Sequence, residues 1–389
     1  MVDTATLSSL IQSPINAERS NELDLIDIAR GVLKKNSVRP DTGGAHLSAL
    51  PVAGYSLQTG WAAVLSANLG FYTGGQHHQT DKISSILTSF TYSQYNQSIF
   101  PIQSDIWTKG NKYNIITDWR YLKYPSETFG LGGRTSKNNG YTIDFSYIKL
   151  HQTLLRRINK DLYAGLGYYY DYFWNVKEVN PPAGPETSFQ RYGLTKNVTS
   201  SGIALRLLYD SRRNQITPSN GLFGSIVYRP NFTFMGSDNN WQSLLIELRK
   251  YIRFPNNSKN ILAFWSYNWL TLGKGKPPYL LLPSTGWDDF YNTGRGYIQG
   301  RYRGKDMLYF ETEYRFGITK NGLLGGVIFA NAESFSREIT KQQLAFVAPG
   351  AGLGVRIRLN KFSGANLCVD YGFGTDGSRG IFVNLGEVF

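Results

Sequence analysis

From residue 47 to the C-terminus the chain divides into sixteen segments of strand length, and the connections between them alternate between short and long. The segments are 47–56, 60–72, 82–94, 99–109, 112–123, 141–157, 161–175, 200–212, 221–231, 240–254, 259–272, 305–317, 322–332, 350–360, 364–373 and 380–389. Many alternate apolar and polar residues with a period of two, which sends the two sets to opposite faces of a sheet. In the tenth, Leu244, Ile246, Leu248, Ile252 and Phe254 share one face, and Glu247, Arg249 and Arg253 the other. In the twelfth, Leu308, Phe310, Tyr314 and Phe316 oppose Glu311, Glu313 and Arg315. Short connections at 110–111, 158–160, 255–258, 318–321 and 361–363 contrast with long ones at 124–140, 176–199, 273–304 and 333–349. A soluble β-sandwich has no reason for this asymmetry. An up-and-down barrel in an outer membrane does, with short periplasmic turns and long outer loops. The expected fold is therefore all-β: a 16-stranded antiparallel transmembrane β-barrel, apolar outside and polar inside. An even strand count puts both barrel ends on the periplasmic side.

Composition agrees. Aromatic residues make up 14% of the 389, glycines number 41, and charged residues are only 18%, below the ~25% of soluble domains. No stretch approaches the ~18 consecutive apolar residues of a membrane-spanning helix. The net charge is +13. The basic residues do not cluster as in a nucleic-acid footprint. They alternate with apolar ones, as in LRKYIRF (248–254) and VRIRLN (355–360), and so belong to the luminal face. No nucleic-acid partner is expected. A single cysteine, Cys368, excludes an internal disulfide framework and a cysteine metal cluster. With four histidines (46, 77, 78 and 151) and no Gly-x-Ser-x-Gly segment near any of them, no metal, cofactor or enzymatic centre is expected. Glu311 and Glu313 stand roughly 7 Å apart on one strand face, a spacing that also occurs in inverting glycosidases. They alternate with Arg315 in a basic lumen, so structural ion pairing is the expectation. Cys368 reads as a small buried residue, and the tyrosine run 168–170 with Trp265, Tyr267 and Trp269 as a lipid-facing girdle.

The first 46 residues read as a separate segment before the barrel at 47–389. Residues 22–36 are expected to be helical, capped by Asn21, with acids in the first turn and Lys34 and Lys35 near the end. Leu23, Ile26, Ala29, Val32 and Leu33 form one apolar stripe. That stripe is expected to rest in the periplasmic mouth or inside the lumen, with Glu22, Asp24 and Asp27 towards luminal arginines. Met1-Val2-Asp3 has none of the features of a secretory leader, so a leader is expected to have been removed.

The segment GRGYIQGRYRGKDMLYFETEYRF (294–316) resembles the BamA/TamA family of outer-membrane assembly factors and translocases. That family carries an Arg-Gly-Tyr or Arg-Gly-Phe tripeptide in its sixth outer loop, followed by a strand with an inward Glu. Here these are Arg295, Gly296, Tyr297 and Glu313. PVAGYSLQTGW (51–61) is similar to the family's first hairpin, LLYDSRRNQITPSNG (207–221) to its Asp-Ser/Thr-Arg strand end, and IFVNLGEVF (381–389) to its closing strand. Two departures stand out. Gly294 replaces an apolar residue before the Arg, and Asn331 stands where the family often has an Asp. The family's periplasmic POTRA modules have no counterpart in residues 1–46, so a barrel-only member is expected.

The resemblance implies a loop folded into the lumen, where Arg295 meets Glu313 and Asn331, Gly296 permits close backbone approach and Tyr297 lies on the wall. It also implies a seam between first and last strands that opens sideways. Pro51 lacks an N–H and Gly54 adds softness in strand one, which must pair with the strand ending at Phe389. The implied function is outer-membrane protein insertion, or polypeptide or lipid transport through that seam. The alternatives are a passive or gated pore, or an anchor for a partner complex. Expected partners are outer-membrane lipid, unfolded outer-membrane proteins and periplasmic proteins.

Overall fold

The computed structural model describes residues 22–25, 27–28, 46–56, 59–74, 81–184, 186–212, 214–336, 346–361 and 364–389. It is one continuous antiparallel sheet. The strands are β1 (His46–Ser56), β2 (Gly60–Phe71), β3 (Ser84–Ser93), β4 (Ser98–Trp107), β5 (Tyr113–Lys123), β6 (Ser126–Thr128), β7 (Tyr141–Asn159), β8 (Leu162–Val179), β9 (Val198–Asp210), β10 (Gly221–Asn231), β11 (Trp241–Arg253), β12 (Ile261–Leu272), β13 (Asp306–Gly317), β14 (Leu324–Ser336), β15 (Ala348–Arg358), β16 (Asn366–Phe373) and β17 (Arg379–Leu385). Sixteen are the expected long strands. The seventeenth, β6, is a three-residue addition that pairs with the start of β7.

Each long strand pairs with its sequence neighbour, so the sheet is a meander that curls until β1 and β17 lie side by side. The alternation decides the faces. Leu65, Leu166, Leu248, Phe310, Ile328 and Leu353 all project outward and exposed, while Glu247, Glu311, Glu313 and Arg315 are buried inside. A solvent-exposed apolar belt contributed by strand after strand is the surface of a barrel that faces lipid. Two expectations need correction here. Trp265 and Tyr267 are buried and face inward: Trp265 donates its indole N–H to Glu247 at 2.9 Å. Tyr169 also turns inward and stacks on His151 with ring centroids 3.9 Å apart. The register explains the first case, since Trp265 lies opposite Glu311 on the next strand and shares its face.

The four connections expected to be long fall at one end, although the other end also carries one of twelve residues at 72–83. At the long-loop end β5 and β7, β8 and β9, β12 and β13, and β14 and β15 are joined by long loops, while the other end carries connections such as 160–161, 318–323 and 359–365. The N-terminal segment reaches the short-turn end. Leu25, Asp27 and Ile28 are helical, and Asp24 caps them by accepting the Asp27 amide at 2.7 Å. The helix thus begins after Asp24. Asn21, the expected cap, and most of the expected stripe lie outside the described residues. The acids meet lysines of the turns rather than luminal arginines. The Lys361 amide donates to Asp24 at 2.9 Å and its ammonium to Asp27 at 2.8 Å, while Leu23 donates to the Asn321 carbonyl at 2.9 Å.

Candidate functional site

The lumen is occupied by the 273–305 connection, which folds inward from the long-loop end. Its sequence makes this possible in two places. Gly296 has φ +113°, and a Cβ there would sit 2.6 Å from the Phe373 carbonyl, so only glycine lets the loop backbone lie against the wall. Gly294, the departure from the expected apolar residue, has φ +77°. Between them Arg295 is fully buried.

The Arg295 guanidinium is the centre of a charge cluster. One nitrogen bonds both Glu311 and Glu313, and the other bonds Asp370 at 2.5 Å. Its central carbon lies 3.7 Å from the centroid of the Phe329 ring, which adds a buried cation–π contact. Burial alone would lower the pKa of this guanidinium. The three carboxylates, Glu311 first, outweigh burial and hold it well above its ordinary value. Arg315 bonds Glu313 at 2.6 Å, and Arg356 bonds Asp370 at 2.5 Å and Glu387 at 3.0 Å. Four carboxylates and three guanidiniums therefore form one network across β13, β15, β16, the loop and the C-terminal tail. Space for it comes from β15, whose glycines at 350, 352 and 354 face Asn331, Phe329 and Asp370 respectively at distances no Cβ would allow.

Asn331 takes a different task from the one its position suggested. Its amide nitrogen donates to the Arg295 backbone carbonyl at 2.9 Å and to Glu311 at 3.4 Å, and its oxygen accepts nothing from the guanidinium. The carboxylate that the family pattern would place there is supplied instead by Asp370. Tyr297 is buried against the wall. Its hydroxyl donates to the Pro349 carbonyl at 2.6 Å and accepts from the Thr375 amide at 3.0 Å. The loop tip crosses to the far wall, where Asp289 pairs with Lys149 at 2.9 Å and its carbonyl accepts from Arg120 at 2.6 Å.

The seam is the opposite case. Pro51 and Gly54 lie within β1, paired with Leu65 and Ala62 of β2. Among the described residues, no ladder of hydrogen bonds joins β1 to β17, although the two adjoin. Phe389, expected at the end of the closing strand, is not there. The strand stops at Leu385, where Gly386 takes φ +90° and turns the chain inward. Phe389 is buried in the lumen, 5.2 Å from Trp265 ring to ring, and its carbonyl accepts from Arg315 at 3.0 Å. Asn292 of the loop donates to the Val388 carbonyl at 2.7 Å. Loop and tail thus clasp each other inside the barrel.

A second luminal group was not foreseen. Asp171 accepts from Arg229 at 2.5 Å and from the Tyr147 hydroxyl, and lies 3.0 Å from His151. The Asp-Ser-Arg segment at 210–212 is a local clamp, Arg212 bonding Asp210 at 2.9 and 3.1 Å.

No protein-family profile and no curated protein matches the chain. Solved structures do. BamA from Haemophilus ducreyi lacking POTRA domains 1–3 aligns over 92% of this chain and 78% of its own, with a TM-score of 0.53 at 12% identity. CdiB from Acinetobacter baumannii aligns over 88% of this chain at 14% identity and a TM-score of 0.53, and CdiB from Escherichia coli over 89% at 9% and 0.56. The fold is that of the BamA and CdiB outer-membrane β-barrels. The chain spans 60% and 63% of the two CdiB chains it matches.

Proposed function

We propose that this chain works in the bacterial outer membrane as a non-enzymatic barrel for inserting or secreting polypeptide, with the β1–β17 seam as its working edge. The observation that carries the reading is the unladdered edge of β1. β1 has 11 residues and β17 only 7, because the chain leaves the sheet at Gly386. An unpaired strand edge offers backbone donors and acceptors to an incoming strand. The loop and tail that fill the lumen near Arg295 argue against a permanently open pore. The fold shared with BamA and CdiB supports a substrate among unfolded outer-membrane or secreted polypeptides, delivered from the short-turn side.

A disulfide between a residue of 46–56 and one of 379–385, in a Cys368→Ala background, tests this. The locked barrel should lose its cellular function and regain it on reduction. Full function in the oxidised form would reject the seam and leave an anchoring role.

A further inference from the structure

We propose that a basic notch on the outward face at the long-loop end binds the phosphate of an outer-leaflet lipid headgroup. The notch lies where β7 and β8 fall out of step. Asp144 faces Lys177 and Ser146 faces Trp174, so β8 carries two intervening residues, Asn175 and Val176, against the single Phe145 of β7. Phe145 and Val176 are buried and floor an opening of about 500 Å³. Lys123, Lys177, Lys196, Asn175 and Asn197 stand round it. Asn175 has φ +55°, the left-handed conformation that asparagine tolerates best among side-chain-bearing residues, and is exposed.

The charge is unbalanced. Three lysines face one acid, Asp144, and that acid is held by Lys177 at 3.5 Å. Lys123 and Lys196 are exposed and, among the described residues, form no ion pair. Two free ammonium groups with amide and hydroxyl donors beside them suit a phosphate monoester, which lysine binds as a point charge.

Position chooses the source of that phosphate. On the same outward face lies an aromatic column: Tyr121 and Trp174 have ring centroids 6.1 Å apart, and Tyr172 stacks on Trp174 at 5.4 Å. Such rings sit at headgroup level. Lys123 follows Tyr121 by two residues on β5, roughly 7 Å further along the strand, which brings its ammonium to the layer where lipid phosphates lie. A free ion would need no aromatic column beneath it; a lipid's sugar or glycerol backbone would lie on those rings. The proposal rests on the outer-membrane placement proposed above, but not on the seam.

The test uses the full chain in phosphatidylcholine nanodiscs. A bisphosphorylated diglucosamine lipid is titrated in, with its dephosphorylated counterpart and inorganic phosphate as the other arms. Native mass spectrometry counts the retained lipid. The phosphorylated lipid should be retained, and the Lys123→Gln, Lys177→Gln, Lys196→Gln variant should bind it about fivefold more weakly per lysine removed. The matching arginine variant should retain it. Unchanged heat-modifiability on gels certifies the fold. Should the triple variant misfold, Lys196→Gln alone serves, since its side chain is exposed. Equal retention by the glutamine variant, equal retention of the dephosphorylated lipid, or full displacement by inorganic phosphate would each overturn the proposal. A barrel that fails the seam-locking test yet retains the phosphorylated lipid separates the two readings.

Discussion

The wall formed by β13 to β16 and the seam between β1 and β17 belong to one sheet but are held in opposite ways. The wall is joined strand to strand by ladders of eight to twelve residue pairs and carries a buried cluster of carboxylates and guanidiniums that fastens the loop to it. The seam has adjoining strands, a proline in one of them, and a partner cut short by Gly386. Buried ion pairs contribute little net stability but are costly to break from one side. They therefore fix a conformation more than they strengthen a fold. The contrast teaches where this barrel can move. On the reading proposed above, the charged wall holds the loop in one place and leaves movement to the edge where, among the described residues, β1 and β17 form no ladder.

The largest effect should come from emptying the centre of the wall. Arg295→Ala leaves Glu311, Glu313 and Asp370 buried around a missing guanidinium, at a cost of about 3–5 kcal/mol. The loop should leave the lumen first, because its other anchors, among them Thr285, Asn292, Tyr297, Arg301 and Asp289, are hydrogen bonds and a half-exposed ion pair. Protease cleavage within 273–305 should appear with the barrel strands intact. Unchanged protection would mean that the wall does not hold the loop.

A smaller effect sharpens which carboxylate matters. Asn331→Asp restores the residue the family pattern suggests, yet should destabilise here by about 1–3 kcal/mol. The substitution removes the donor to the Arg295 carbonyl and sets a new carboxylate beside Glu311. Thermal unfolding in detergent measures it. Stabilisation instead would show the guanidinium turning to residue 331, and Asp370 as a dispensable partner.

Strand number, faces and end-to-end asymmetry were legible because lipid and lumen impose a period of two and the loops differ in length. The pairing of Arg295 with Glu313 was legible from the tripeptide and from the shared parity of 311, 313 and 315. Asp370 was not: it lies two strands beyond β14, and nothing in its local sequence distinguishes a loop partner from another luminal acid. Trp265 and Tyr267 were misplaced because aromatic content suggests a girdle, whereas their face is settled by register against β13. The tail was misplaced because IFVNLGEVF alternates well enough to continue a strand. The available signal was Gly386, a residue that costs little at positive φ and much to keep in a ladder.

The smallest expected effect concerns that tail and links the two regions. Glu387 lies beyond β17, and its side chain is almost wholly buried and pairs with Arg356 at 3.0 Å and with Arg315 at 3.6 Å. Burial alone would raise its carboxyl, but Arg315 and then Arg356 outweigh burial and hold it below the ordinary carboxylate range. A carboxyl depressed in the docked state favours docking fully above its free value of ~4.3 and gives up that contribution as pH falls towards the docked value. As pH falls below the free value of ~4.3 the tail should therefore loosen from the lumen, moving Phe389 off Trp265 and changing tryptophan emission. Glu387→Gln should show the loosened emission already at neutral pH and lose the pH dependence. Once free, residues 386–389 can extend β17 along β1, so hydrogen exchange at the β1 edge should slow as the tail undocks. Emission that is flat with pH in the wild type, or an edge that exchanges equally fast with the tail docked and undocked, would break the link between wall and seam.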